Sequence, residues 1–504
     1  MSGDPVPTAT LLEALADKTV LGPIPATVSG VAYDSRTVKP GELFVAVPGL
    51  RQDGRRYVED ALARGAAAVV LEGPDLLEGR ATGRVLVPSS REALARLADA
   101  YFGHPSGKLT VIGITGTNGK TTTSYLVDAL LTAHGQRTGL IGTVQYRVGA
   151  EVISAGQTTP EAVELQSLLR RMVNAGVTAV AMEVSSHALA LSRVDGIDFD
   201  IAVFTNLTQD HLDFHATMDA YREAKRRLFV LLAAGPKSGR AAVVNADDPS
   251  GVSMVAGLPL PTITYGIRGR ADVRPARWTS GAEGIRMSVR TPAGHLDIAS
   301  PLVGEHNVMN LLAAAGVGVA LGIAPDAIGR ALGSVGSVPG RFERVEAGQP
   351  FLVIVDYAHT PDALERTLET AQKLRAPGGR LAVVFGCGGD RDRGKRPLMG
   401  AIASRLADRV WITSDNPRSE RPEAIIADIV AGIPAKSAGD PALDRHETIP
   451  DRKAAIQAAL ASARAGDVVV IAGKGHEIYQ VVGSEVLPFD DRAQARAALA
   501  GRAT

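Results

Sequence analysis

The chain has 504 residues, 45% of them hydrophobic and 21% charged, with 54 basic and 54 acidic side chains and a formal net charge of zero. That length suggests about three domains of ordinary size, and the charge balance argues against a protein held to nucleic acid chiefly through phosphate contacts. Its one cysteine, Cys387, excludes an internal disulfide and a cysteine-rich zinc site.

In chain order, the opening MSGDPVPTAT lacks the basic segment and apolar run of a secretory signal, and a cytoplasmic setting is expected. Residues 1–105 alternate short apolar runs with turns. GELFVAVPG (41–49), AAVVLEG (67–73) and RVLVP (84–88) read as strands, and YVEDALARGA (57–66) and SREALARLADAYFG (90–103) as helices. The pattern is that of a small mixed α/β domain. HPSGK (104–108), short and polar with Pro and Gly, reads as a hinge.

Residues 106–337 carry LTVIGITG (109–116), VTAVAMEVSS (177–186), IDFDIAVFTNLT (197–208) and GRAAVVNADD (239–248). Each is an apolar strand reaching a polar end, and helical stretches separate them, as in a mostly parallel sheet covered by helices. The segment from about 260 to 300 reads as hairpins, and helices around 306–334 close the domain. LLAAAGVGVALGIAP (311–325) is the most apolar stretch; it is too short to cross a membrane and reads as a buried helix, so no membrane insertion is expected.

Residues 338–504 begin with VPGRFERVE. FLVIVDYAHTPDAL (351–364), GRLAVVFGCGGDRDRGK (379–395), RVWITSDNPR (409–418) and GDVVVIAGKGHE (466–477) are strands that each end in a charged or glycine-rich loop, which predicts a Rossmann-like domain. Ligands of open α/β sheets gather beyond the carboxyl ends of the strands, so all four loops fall where a site is expected.

GITGTNGKTTT (113–123) is the strongest local signal. Closely spaced glycines let backbone amides close around phosphate oxygens, the following helix N-terminus favours the anion, and Lys120 reaches the outer phosphates. The Thr121 hydroxyl is placed to help hold magnesium. The strict spacing is not met: six residues before Lys120 stands Ile114, with Gly113 one place earlier. Such a loop indicates a nucleotide and leaves the reaction open.

With YDSRTVKPGELFVAVPG, QTTPEA, MEVSSHAL, NLTQDHLDFH, YREAKRRLF, GEHNVMN, PGRFE, DYAHTPDAL, GCGGDRDRGKRPLM, DNPR and AGKGHE added, the chain resembles the Mur ligases of bacterial peptidoglycan synthesis over nearly its full length. The resemblance is to the branch that adds the third amino acid of the peptide. It implies an α/β protein of three domains: a small N-terminal domain for the UDP substrate, a central P-loop ATPase-like parallel-sheet domain for ATP, and a Rossmann-like C-terminal domain for the incoming amino acid. It also implies that ATP phosphorylates the free carboxylate of UDP-N-acetylmuramoyl-L-alanyl-D-glutamate. The amine of meso-diaminopimelate then attacks the acyl phosphate, and phosphate leaves. Carboxylate and γ-phosphate are both anions, so magnesium and cationic side chains must hold them in line. No nucleic acid is implied, and a monomer is expected.

Residue by residue, the resemblance implies that Gly116, Thr117, Asn118, Gly119, Lys120, Thr121 and Thr122 hold ATP phosphates. Asn307, Arg341, Asp356 and His359 would contact adenine, phosphates and ribose, so that the ATP site spans a domain interface. Lys120, Glu183, His211 and Lys225 form the catalytic set, with Thr121, Glu183, His211 and Lys225 (as a carbamate) at magnesium. Unmodified, Lys225 in YREAKRR reads as a surface lysine, and His211 as a capping or packing histidine. Thr158, Thr159, Ser185 and Arg193 would contact the peptide and pyrophosphate of the UDP substrate, with Ser35 and Arg36 on the uridine diphosphate. By themselves Ser35 and Arg36 read as a turn cap beside Asp34. The sequence departs from the family at Leu191, where a glutamine is often expected.

For the amino acid, the resemblance implies Arg391, Asp415, Asn416, Pro417, Arg418, Gly473 and Glu477. Meso-diaminopimelate differs from lysine by a second carboxylate at its far end, and a guanidinium can grip that group with two parallel bonds. Lysine would leave Arg418 unpaired in a partly desolvated pocket, a loss of roughly 2–5 kcal/mol. Asp415 or Glu477 would suit the distal ammonium, and Arg391 the other carboxylate. Two alternatives remain: a lysine-adding relative, which DNPR argues against, and an inactive nucleotide-dependent binding protein, which should lack a metal ligand or the phosphate lysine. Cys387, in a glycine loop, is expected to be structural.

Overall fold

The computed structural model describes residues 5–49, 52–434 and 446–501. They form two compact units. The first comprises Met1–Gly116, Leu131–Phe204 and Asp219–Ile263, and the second Thr117–Leu130, Thr205–Met218 and Thr264–Thr504.

In the first unit, a five-stranded sheet runs in the order Thr19–Leu21, Arg84–Val87, Ala68–Glu72, Glu42–Val45, Gly30–Ala32, parallel except for its first strand. Successive side chains of a strand face opposite ways. Leu43 and Val45 accordingly enter one apolar cluster with the helix Ser90–Tyr101, while Phe44 and Ala46 enter another with Val58 and Ala61. HPSGK contains the 3-10 turn Pro105–Lys108, in which Pro105 and Ser106 are buried while Gly107 and Lys108 are exposed, and Ser106 Oγ accepts the Asp198 amide at 3.0 Å. A hydroxyl that satisfies a backbone donor makes a polar segment cheap to bury.

The larger sheet has the order Glu151–Ser154, Gln145–Val148, Thr138–Ile141, Ala179–Glu183, Thr110–Thr115, Ile201–Phe204, Ala241–Asn245, Thr262–Tyr265. The strands from Thr138–Ile141 to Ala241–Asn245 are parallel and almost wholly buried, which accounts for their unbroken apolar sequences. Gly113, the displaced glycine, is a packing residue of its strand: a Cβ there would lie 2.7 Å from Phe199 Cε1.

The second unit contains the expected hairpins as a meander, Arg274–Gly281, Gly284–Thr291 and Gly294–Ser300. The helices Glu305–Ala320 and Pro325–Gly333 follow; the apolar stretch lies mostly in the first, and its 311–318 portion is buried. A six-stranded sheet then runs Glu343–Arg344, Leu352–Asp356, Val468–Ala472, Leu381–Phe385, Arg409–Ile412, His446–Thr448, parallel apart from its first strand. Its pleat divides the core: Val468, Val470 and Ala472 face one cluster, Val469 and Ile471 the other. The carboxyl ends of Leu352–Asp356, Leu381–Phe385, Arg409–Ile412 and Val468–Ala472 deliver the four loops singled out in the sequence. No helix among the described residues is long and apolar enough to cross a membrane.

Candidate active site

The phosphate loop of the second unit is closed by hydrogen bonds to the segment after Ile201–Phe204. The Thr117 amide donates to Asn206 O at 2.8 Å, the Asn118 amide to Asn206 Oδ1 at 2.9 Å, and Thr205 Oγ1 to Asn118 O at 2.6 Å. Gly119 adopts φ +86°, and a Cβ would lie 2.4 Å from Asn310 Oδ1, so only glycine fits. Lys120 opens the helix Lys120–Ala133 and folds back, Nζ donating to Thr117 O at 2.8 Å. Thr121 and Thr122 are buried in the first turn. Arg341 Nη2 donates to Thr121 Oγ1 at 3.0 Å; its guanidinium lies 4.5 Å from the Tyr357 ring centroid, and its buried Nε has no hydrogen-bond partner.

Asn307 and Asp356 are engaged with the protein itself. Asn307 Nδ2 donates to Val303 O at 2.8 Å. Asp356 accepts from the Phe342 amide at 2.6 Å, the Ala358 amide at 2.9 Å and Thr367 Oγ1 at 3.1 Å. His359 Nδ1 lies 2.8 Å from Tyr357 O, so that nitrogen carries the proton. Desolvation, and then the Lys395 charge, hold this imidazole below its usual pKa. His211 takes a left-handed backbone at φ +53° before Leu212–His215, with Nε2 3.3 Å from Asp210 Oδ2, and its side chain is 43% exposed.

In the first unit, Glu183 ends its strand at 1% exposure, accepting from the Thr143 amide at 2.8 Å and Thr143 Oγ1 at 2.9 Å. Thr158 Oγ1 lies 3.1 Å from Thr143 Oγ1, and Thr159 Oγ1 donates to Glu183 O at 2.9 Å. The Ser185 amide donates to Thr159 Oγ1 at 3.1 Å, and Arg193 Nη1 to Thr159 O at 3.0 Å. Five expected residues thus gather at one strand end. Lys225 departs from its surface reading: it is 1% exposed on the helix Met218–Ala234, its ammonium 4.1 Å from the Tyr221 ring centroid. The YREAKRR run gives no sign of this, because only Lys225 of its basic residues falls on the inward face. Ser35 is buried, whereas Arg36 is 83% exposed and gripped by Asp34 at 2.6 Å, which is the turn arrangement its sequence suggests.

Among the described residues no three acidic, histidine or cysteine side chains cluster as metal ligands. Taken singly, the Thr121 hydroxyl and the Glu183 carboxylate are each a hard oxygen donor of the kind magnesium prefers, an ion that also keeps waters and substrate phosphates in its shell. An ammonium cannot ligate, so Lys225 fits that ion only as a carbamate.

At the last sheet, Asp415, Asn416 and Pro417 are buried and Arg418 is half-buried. No ion pair joins Asp415 to Arg418. Arg418 adopts φ +51° and donates Nη1 to Gly389 O at 2.8 Å. Asn416 Nδ2 and the wholly buried Lys474 Nζ both donate to Glu477 Oε2, at 2.9 and 3.0 Å, and Lys474 also donates to Asn416 Oδ1 at 3.0 Å. Arg391 is exposed, with Nη1 3.2 Å from Asp390 O. Lys474 is absent from the sequence-derived set, although it lies within AGKGHE between two of its members.

A glycine loop running from a parallel strand into a helix with Lys and Thr in its first turn defines a nucleotide-binding protein of the phosphate-loop class. Three family models match successive stretches: the Mur ligase family catalytic domain over residues 27–102, the Mur ligase middle domain over 114–318, and the Mur ligase glutamate ligase domain over 340–475. The UDP-N-acetylmuramoyl-L-alanyl-D-glutamate--2,6-diaminopimelate ligase of Solibacter usitatus is 48% identical over 477 residues, 94% of each chain. Its namesake from Geobacillus kaustophilus is 49% identical over 94% of this chain and 95% of its own. A solved structure of a ligase with that name superposes with a TM-score of 0.67 at 36% identity, covering 95% of this chain and 96% of the other. The chain belongs to the Mur ligase family, and is an ATP-dependent, amide-forming enzyme of cell-wall synthesis whose membership implies ATP and magnesium as cofactors.

Proposed function

We propose that the protein adds meso-2,6-diaminopimelate to the D-glutamate carboxylate of UDP-N-acetylmuramoyl-L-alanyl-D-glutamate, in the cytoplasm, through an acyl phosphate. Its domains would divide near residues 105 and 337. The relatives named above carry this activity in their names, at 48–49% identity over almost the whole chain. The observation that carries the reading is the DNPR turn: Arg418 is half-buried and spends Nη1 on Gly389 O, while its Nε and Nη2 have no protein partner among the described residues. Those two nitrogens form an edge suited to a carboxylate.

In this reading the substrate carboxylate attacks the terminal phosphorus of ATP and ADP leaves. The amine then attacks the acyl carbon, and the tetrahedral intermediate expels phosphate and loses a proton to give the amide. Lys120 and Arg341 donate to the transferring phosphoryl group, the Arg341 Nε that lacks a partner being preset for such an acceptor. Thr121, Glu183, His211 and carbamylated Lys225 would hold magnesium, which would supply charge neutralisation between the two anions. Thr158, Thr159, Ser185 and Arg193 hold the peptide end, and Ser35 and Arg36 the uridine diphosphate. Gly116 to Thr122 cradle the phosphates, with Asn307, Asp356 and His359 around the nucleoside. Asp415, Asn416, Pro417, Gly473, Glu477 and Arg391 complete the amino-acid pocket.

Phosphate release from ATP with the UDP substrate, in separate reactions with meso-diaminopimelate and L-lysine and with product masses read out, tests this directly. Release with diaminopimelate alone is expected. Arg418→Lys is expected to lower kcat/KM for diaminopimelate by about 30-fold or more, the kinetic equivalent of losing at least ~2 kcal/mol. Equal turnover of lysine by the unaltered protein would sink the assignment of the acceptor.

A further inference from the structure

Two loops beyond the carboxyl ends of the last sheet, 386–394 and 413–420, are tied to each other, and one carboxylate, Glu420, joins both of them to the helix Lys395–Leu406. Glu420 Oε1 accepts from Arg396 Nη2 at 2.8 Å and from the Asp390 amide at 2.7 Å. Its Oε2 accepts from Arg396 Nη1 at 3.0 Å and Arg393 Nη2 at 2.9 Å. Four donors saturate the two oxygens, so Glu420 has nothing left to offer a ligand. Arg396 is wholly buried and also reaches Gly388 O at 3.2 Å and Asp428 Oδ2 at 2.8 Å.

Asp390 returns the tie: its carboxylate accepts from the Ser419 amide at 3.2 Å and Ser419 Oγ at 2.6 Å. The backbones meet as well, since the Gly389 amide donates to Asn416 O at 2.9 Å and a Cβ on Gly389 would lie 1.9 Å from Pro417 O. Within this contact two non-glycine residues take left-handed backbones, Asp390 at φ +54° and Arg418 at φ +51°. Such residues persist where their surroundings over-determine them. One immediately precedes Arg391, and the other is Arg418 itself.

We infer that Glu420 is a positioning residue for the amino-acid subsite: with Arg396 it locks the 388–394 loop onto the 415–418 turn and so sets where the guanidiniums of Arg391 and Arg418 stand. This rests on the reading of those two arginines as carboxylate binders, and it adds the device that spaces them. A flexible ligand with a carboxylate at each end is gripped at both ends with less loss of its own freedom when the two grips are held at a set spacing, and neither loop does that alone.

The test uses the full chain with Glu420→Gln, which keeps the shape and removes the charge, and Ser419→Ala, which removes one tie and no buried charge. Glu420→Gln is expected to raise KM for diaminopimelate by about tenfold or more, with KM for ATP and for the UDP substrate within about twofold of the unaltered protein. Ser419→Ala should move the same constant by about threefold. Hydrogen exchange at the Asp390 amide should lose protection in Glu420→Gln. A diaminopimelate KM within twofold in a folded Glu420→Gln protein overturns the inference, as does an equal rise in all three constants. If that variant does not fold, an unchanged constant in Ser419→Ala overturns it. Should the unaltered protein turn over no diaminopimelate, the parent reading fails by itself, and retained protection at Asp390 in Glu420→Gln then disposes of the clamp separately.

Discussion

Gly473 takes φ +113°, and a Cβ on it would lie 2.6 Å from Asp415 Oδ2. Both facts forbid a side chain, so Gly473→Ala must either push Asp415 aside or strain the loop, at a cost on the order of 1–3 kcal/mol. The expected result is a rise of about tenfold in KM for diaminopimelate with ATP binding unchanged, read by steady-state kinetics. Lys474 acts at the same scale. Its buried ammonium orients the Asn416 amide, because Oδ1 must face Nζ at 3.0 Å and the Val481 amide at 2.9 Å while Nδ2 faces Glu477. The sequence marks AGKGHE as a loop but gives no hint that its lysine points inward, since that depends on a glutamate three residues on and an asparagine 58 residues back.

Among elements, the helices Arg452–Ser462 and Asp491–Ala500 are joined by a pair in which both side chains are wholly buried, Arg452 Nη2 to Asp491 Oδ2 at 2.7 Å. Arg452 also donates to Ser414 O at 3.2 Å and Ala472 O at 2.9 Å, the carbonyls just before Asp415 and Gly473. Arg452→Met would leave Asp491 buried without its partner and should cost about 3–5 kcal/mol in denaturant unfolding, much of it recovered in the double variant with Asp491→Leu. The strands and their carboxyl-end loops were readable because a buried parallel strand is a local signal, an apolar run ending in Gly or a charge. The strand order was not, since Val468–Ala472 enters between Leu352–Asp356 and Leu381–Phe385 across many intervening residues. The same limit hid Arg396, Glu420, Arg452 and Lys225. Inside a helix or turn a charged residue reads as solvated, and only its distant partner or the face it occupies shows otherwise. The phosphate loop and the DNPR turn were legible because glycine and proline requirements are written in adjacent residues, whereas the grouping of Thr158, Thr159, Ser185 and Arg193 with Glu183 was an expectation carried by the family resemblance.

For the molecule as a whole, Glu420 gives stability a pH dependence. Paired chiefly with Arg396, its carboxyl is pulled from 4.5 to about 2 in the fold. A folded pKa below the unfolded one means the contribution is complete above the unfolded value and is lost as pH falls through the folded one. The gap in melting temperature between the unaltered protein and Glu420→Gln should therefore be full above pH ~5 and close between pH ~4.5 and ~2. Cys387 bears on the whole chain differently. It is 3% exposed, its thiol is pushed up to about 12 by burial, and its Sγ lies 3.7 Å from Met399 Sδ. A thiol so far from its reactive anion should resist iodoacetamide in the native protein and react only after denaturation, as intact mass would record. With that result, the only sulfhydryl of the chain would stay out of thiol labelling of the native protein. Val252, 74% exposed in the first compact unit, and Val486, 65% exposed in the second, could each be changed to cysteine and given a fluorophore without first removing Cys387. Energy transfer between the two dyes would then follow one compact unit against the other through turnover, in a protein otherwise left as it is.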